Sequence, residues 1–274
     1  MIDSLGGAKA VVLSPDTWRL RTVKRFVAGI LTALLVSAPC AGQVKLSLHQ
    51  LQGPLYLVID TEFDATNSLV YIGPRSVTVI GATWTPATAL ELATQIKRIT
   101  DRPVTAVIDT SPDPEWSGGN GYWKRIGAKI YAIRVTGDLL KTTWAERDRR
   151  TRKNHPGYPI LPLVMPTDVR ADEFELQDGN LRAFYLGPTH TAGDIFVYFP
   201  REQVLDAGSI LKPHLGNLAD ADLYAYPRTL RKLQRMHLEI RTVIAGHWSA
   251  VHGPSLITQY LRMLKAHSQD QGHR

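Results

Sequence analysis

The sequence predicts an α/β fold of the α+β kind, arranged as a four-layer αββα sandwich, and three observations carry that prediction. Short β-rich runs occupy both halves of the chain. Amphipathic helical stretches lie between and after them, so each half has helices to place on the outside of a sheet. No low-complexity linker or short-period repeat divides the halves, and 274 residues bury a substantial core in one large domain.

Four runs come first, Val44 to Leu48, Pro54 to Asp60, Ser68 to Ile72 and Ser76 to Ile80, separated by Gly, Pro and Asn turns, and they read as an antiparallel meander. Thr85-Pro86 then opens a helix, with Thr85 as cap, Pro86 in the first turn and Ala87, Leu90, Leu92, Ile96 and Ile99 recurring along one side. Val104 to Ile108 is a buried strand that ends in the loop Asp109 to Gly119. A helix from about Asn120 and a strand Lys129 to Arg134 complete a βαβαβ passage. In the second half, Asp178-Gly179-Asn180 joins strands Glu173 to Leu176 and Leu181 to Leu186 as a hairpin. Strands Ile195 to Phe199 and Gln203 to Leu205 follow. Helices Ala219 to Met236 and Pro254 to Ala266 flank a last strand, Arg241 to Ala245.

The amino terminus reads differently. Arg19 to Arg25 are basic, Phe26 to Pro39 almost wholly apolar, and Ala38, Cys40, Ala41 and Gly42 small, the order of a secretory signal too short for a comfortable membrane span. Residues 1–42 are therefore expected to be an export signal, the stretch before Arg19 reading as an overextended gene start, and 43–274 the working domain. The expected location is periplasmic or secreted, with no stable membrane association after cleavage. Cys40 is the only cysteine, so a protein cleaved just after it has neither a disulfide nor a thiolate for a metal. The net charge is +7, and removing the basic signal leaves about +4, which suits a small anionic substrate better than nucleic acid.

Polar or ionisable residues stand just beyond strand ends at five places: Asp109 to Glu115, Thr189-His190, Ser209, Lys212 to Asn217, and Gly246-His247. Loops at strand ends are where such folds build sites. Each place is weak singly, and spacing alone does not bring them together.

From about Ser47 to Ala266 the chain resembles metallo-β-lactamases, and most of all the mono-zinc, carbapenem-hydrolysing subclass. The matching stretches are Val77 to Pro86 (VTVIGATWTP), Gly118 to Lys129 (GGNGYWKRIGAK), Arg182 to Pro200 (RAFYLGPTHTAGDIFVYFP), Leu215 to Asp222 (LGNLADAD) and Thr242 to Pro254 (TVIAGHWSAVHGP). The resemblance implies a monomeric, zinc-dependent enzyme that opens the amide of a β-lactam. It also exposes departures. Aligned on Gly118-Gly119, the His-x-His-x-Asp signature, whose first position is Asn in the mono-zinc subclass, is replaced by Ser111, Asp113 and Glu115, and the family's cysteine ligand by Ser209, while His190 and His247 match the remaining histidines.

Two alternatives stay open on the sequence. Asp113, Glu115, His190 and His247, with Ser209 as a weak fifth, offer a composite set for one zinc, manganese or iron ion, with Asp113 or Glu115 as general base. Otherwise the site holds no metal tightly, and the protein is a catalytically inactive relative that binds a small anionic ligand. Under either, Lys212 and Asn217 match the family residues that hold the lactam's carboxylate and carbonyl, which implies an anionic, amide-bearing partner. Trp84, Trp116 and Trp248 are candidates for the pocket wall, and Asp109 for a loop brace.

Overall fold

The structure, a computed structural model, describes residues 45–272, so the expected export signal and its boundary lie outside the described residues. Strands β1 (Leu46–Gln52), β2 (Leu55–Asp60), β3 (Thr66–Ile72) and β4 (Val77–Ile80) pair in sequence as the antiparallel meander. Helix α1 (Pro86–Ile99) then carries the chain to β5 (Val104–Ile108), parallel to β4, and two short helices, α2 (Pro114–Ser117) and α3 (Asn120–Arg125), lead to β6 (Lys129–Ile133), parallel to β5. Helix α4 (Arg134–Asn154) and strand β7 (Asp168–Arg170) finish this seven-stranded sheet. The second sheet holds β8 (Glu173–Leu176), β9 (Leu181–Phe184), β10 (Phe196–Phe199), β11 (Val204–Asp206), β12 (Thr242–Ile244) and β13 (Val251–His252), with α5 (Ala225–Arg235) and α6 (Ser255–Gly272).

The layering follows from strands apolar on both faces. In β3, Leu69 and Tyr71 enter the core between the sheets, whereas Val70 and Ile72 join the core under α1 and α3. In β10, Val197 and Phe199 face the first sheet, and Phe196 and Tyr198 face α5 and α6. A strand whose successive side chains point to opposite faces, both buried, needs a layer on each side. The order helix, sheet, sheet, helix is the sandwich expected from sequence, and no described helix is long and apolar enough to cross a membrane.

Local chemistry sets several boundaries. Thr85 caps α1 by accepting from Thr88 N at 3.1 Å while Thr88 Oγ1 accepts from Thr85 N at 2.9 Å, a reciprocal box with threonine in the place of the usual Glu or Gln. The predicted start of α5 at Ala219 moves to Ala225, because Asp222 Oδ1 accepts from Tyr224 N and Ala225 N and so turns the chain just before the helix. A Cβ on Gly118 or Gly119 would strike the carbonyl oxygens of Trp84 and Ala82, so the double glycine is what lets α2 and α3 pack against the end of β4.

Helix α4 and the short strands β7 and β13 are absent from the sequence reading. The α4 segment Glu146–Asn154 is nearly all charged and polar and shows no apolar stripe. The helix buries Leu140 and Trp144 in a small hydrophobic cluster and Arg147 and Asp148 beside it, and polar bonds fix it there: Trp144 Nε1 donates to Leu161 O at 3.0 Å, and Asp148 accepts from Leu161 N and Arg152 Nε.

Candidate active site

The site grows from loops that leave the two sheets at one edge. After β5, Asp109 is fully buried and accepts from Asn120 Nδ2 at 2.8 Å, which makes it the loop's brace, and burial pushes its carboxyl well above the ordinary range. Asp113 and Glu115 follow on the start of α2. Asp113 occupies the N-cap position but makes no cap bond, so its carboxylate is turned elsewhere. Ser111 is buried and its hydroxyl accepts weakly from Asp113 N, 3.4 Å.

His190 is fixed by its neighbours. Thr189 Oγ1, Thr191 N and Thr191 Oγ1 all donate to the Asp194 carboxylate, at 2.9, 2.5 and 2.7 Å, and pin the chain on both sides of the ring. His247 follows β12 and lies 3.1 Å, through Nδ1, from Ala65 O, so Nδ1 is the donor there and Nε2 faces the site. Asn67 staples this loop to β3, its Nδ2 donating to Ala245 O at 2.9 Å and to Trp248 O at 3.0 Å.

A cleft of about 310 Å³ brings together Asp113, Glu115, His190, Lys212, Asn217 and His247. Trp84 and Trp248 line it as well, and Trp248 adopts a left-handed φ of 60° at its exposed rim. Asn217 is exposed and spends Oδ1 on Ala219 N, 2.9 Å, so it is a turn asparagine as well as a wall residue. Trp116 and Ser209 lie beneath, joined by an indole N–H that donates to Ser209 Oγ at 2.6 Å. Gly81, at φ +82°, leaves room for that indole, for a Cβ there would come within 2.9 Å of it.

Four residues that sequence reading did not single out complete the site. Arg147 and Arg150 project from α4, Arg147 donating to Asp113 Oδ1 and reaching Asp220 Oδ2 at 3.3 Å. Arg150 pairs with Asp220, and Asp194 anchors the His190 loop from behind. The spacing of Arg147, Arg150, Thr151 and Asn154 puts them on one helical face, a signal visible in the sequence only once α4 is recognised as a helix.

Electrostatics separates the two acids. Burial, together with the Glu115 carboxylate nearby, pushes Asp113 up to about 7 against the pull of Arg147. Burial acts on Glu115 in the same direction, but the hydrogen bond and charge of His247, 3.3 Å away, outweigh it and hold Glu115 below its ordinary value. Burial and the Lys212 ammonium push His190 down to about 4, so a neutral ring faces Lys212 Nζ across 3.4 Å. Lys212 is buried, and among the described residues no carboxylate lies within salt-bridge distance of its ammonium.

The residues were tested for their fit to a metal ion. Zinc ligands at about 2.0–2.1 Å stand about 3.3 Å apart on a tetrahedron, which the Glu115–His247 separation matches. No third donor joins that pair. Ser209 accepts from Trp116, His190 lies 4.0 Å from Asp113 and faces Lys212, and Asp113 is committed to Arg147. Among the described residues no three His, Cys, Asp or Glu side chains group so as to hold an ion. A divalent ion about 4 Å from a guanidinium would be repelled by roughly 8 kcal/mol at an effective dielectric of about 20. This donor arrangement does not fit a metal centre.

The family pattern of the Metallo-beta-lactamase superfamily matches residues 61–247. The metallo-beta-lactamase IND-1 of Chryseobacterium indologenes is 24% identical over 236 residues, covering 83% of this chain and 91% of that protein. The type 2 metallo-beta-lactamase of Elizabethkingia meningoseptica is 26% identical over 212 residues, covering 74% and 79%. The solved metallo-beta-lactamase from Pontibacter korlensis superposes with a TM-score of 0.69 at 21% identity, over 80% of this chain and 99% of that one, a likeness of fold.

Proposed function

Because the chain belongs to the metallo-β-lactamase superfamily, we propose that it is a hydrolase of that type whose substrate is a small, anionic, amide-bearing molecule, with β-lactams and carbapenems the leading class. The buried Lys212 ammonium, lacking a carboxylate partner among the described residues, is the observation that carries this reading. A buried ammonium whose one side-chain contact is a neutral imidazole, with the charges of Glu115, Asp194 and Asp113 acting on it only from beyond ion-pair distance, favours an incoming anion that can pair with it directly. Asn217 and Trp248 at the rim orient the rest of the molecule.

The chemistry then falls to the two acid–histidine pairs. Asp113 Oδ2 and His190 Nε2, 4.0 Å apart, are spaced to share one water, and Asp113 takes its proton as the water attacks the amide carbonyl. His247, held by its Nε2 3.3 Å from Glu115, is placed to hand a proton to the departing nitrogen. Lys212 and Arg150 hold the substrate's carboxylate. We propose further that the protein acts as a monomer after export, in the periplasm or outside the cell, and binds no nucleic acid.

A second reading is favoured by the Glu115–His247 spacing, which suits two ligands of one zinc ion. On this reading Asp113, Glu115, His190 and His247, with Ser209 weakly, would have to regroup around that ion, against the Arg147 and Trp116 contacts that engage Asp113 and Ser209. The test is loss of imipenem and nitrocefin absorbance with purified protein, in chelator and in added zinc. Turnover is expected, with Lys212→Ala raising KM more than it lowers kcat, and Asp113→Asn lowering kcat by about 100-fold or more. No turnover of either compound under any condition would sink the β-lactam assignment.

A further inference from the structure

We infer that this chain carries no resident metal ion, because its own side chains occupy the two places where the family resemblance puts ligands: the Arg147 guanidinium on Asp113 and the Trp116 indole on Ser209. The inference deepens the reading of the cleft as the functional site and rests on it. The first place has lost its donor character. Ser111 and Asp113 stand where the family's three-histidine site is expected, and the carboxylate that could replace an imidazole accepts from Arg147, itself buried and tied by Nε to Thr143 Oγ1 at 2.8 Å. The guanidinium is therefore a fixed part of the site and not a surface arm that swings aside.

The second place is closed by shape. Trp116 is buried to 1% exposure, its N–H ends on Ser209 Oγ, and its ring stands edge-on to His247 with centroids 6.0 Å apart. A hydroxyl that accepts an indole proton is a poorer donor than the thiolate expected there. Positive charge in the cleft comes instead from Arg147, Arg150 and Lys212, set against Asp113, Glu115 and Asp220. Asp113 and Asp220 are thus already paired with cations of the chain itself, which weakens the ordinary reason for a cluster of acids to recruit a divalent cation.

The experiment is elemental analysis of the purified mature protein after dialysis against zinc, with melting temperature followed in added zinc or manganese chloride. The parent is expected to hold far less than one ion per chain and to show no shift in melting temperature. Ser209→Cys combined with Trp116→Phe removes the indole donor and restores a thiolate beside the Glu115–His247 pair, and this variant is expected to gain about one zinc per chain. Should the double variant fail to fold, Ser209→Cys with Trp116→Leu, which also removes the indole donor, is read the same way. Near-stoichiometric metal in the parent that disappears in the His190→Ala/His247→Ala variant overturns the inference. So does a folded Ser209→Cys/Trp116→Phe variant that takes up no zinc, since the barrier would then be the backbone and not these side chains. A parent free of metal but inactive on every β-lactam would leave this inference standing and remove the β-lactam assignment, so the two failures are distinguishable.

Discussion

Replacing Arg147 by methionine keeps most of the volume of a buried side chain and removes its charge. In the folded protein Arg147 and Asp113 are each only 9% exposed at the side chain, and the guanidinium also lies 3.3 Å from Asp220 Oδ2 and 2.8 Å from Thr143 Oγ1. Its loss leaves Asp113 buried beside Glu115 with no compensating cation, since Arg150 is 3.9 Å from Asp113 and already engaged by Asp220. Breaking a buried pair by removing one partner typically costs about 3–5 kcal/mol. For a domain of this size that corresponds to a fall in melting temperature of roughly 6–15 °C. The assay is a cycle of four proteins, parent, Arg147→Met, Asp113→Asn and the double variant, unfolded in urea at constant pH. Removing both charges should recover most of the loss, giving a coupling energy of about 2 kcal/mol or more. An Arg147→Met variant within about 0.5 kcal/mol of the parent, or a double variant no more stable than Arg147→Met, would refute the pairing and with it the role given to Arg147.

Two further outcomes are expected away from the cleft's chemistry. Burial pushes Asp206 up to about 7, with Oδ1 accepting from Gly208 N at 3.1 Å and Oδ2 buried without a partner. A raised folded-state value means that stability present below the unfolded carboxyl range is lost as pH rises towards 7. Asp206→Asn should flatten that fall, by at most about 4 kcal/mol, and identical stability curves from pH 4 to 8 for parent and variant would contradict the burial argument. Asn67→Ala strips the donors from Ala245 O and Trp248 O, and should cost about 2 kcal/mol and loosen His247; a denaturant midpoint equal to the parent's would show that the staple is dispensable.

The sequence by itself determined the sandwich. Strands apolar on both faces, such as Leu69 to Ile72 and Phe196 to Phe199, can be satisfied only by layers on either side, and Thr85-Pro86 and Asp178-Gly179-Asn180 mark their boundaries through local backbone chemistry. The residues of the cleft were also legible, as polar positions just past strand ends and through the family's motifs. What the tertiary structure alone decided is how those residues spend their hydrogen bonds and charges. Arg147 is 34 residues from Asp113 and 73 from Asp220, and Trp116 is 93 residues from Ser209. Helix α4, which delivers the arginines, packs only Leu140 and Trp144 into a hydrophobic cluster, and the rest of its inner face, with Arg147 and Asp148, is satisfied by ion pairs and side-chain hydrogen bonds, so it lacks the long apolar stripe that announces a buried helix. Hydrophobic burial leaves a period in the sequence; electrostatic pairing between distant segments depends on where the fold carries each charge and leaves none.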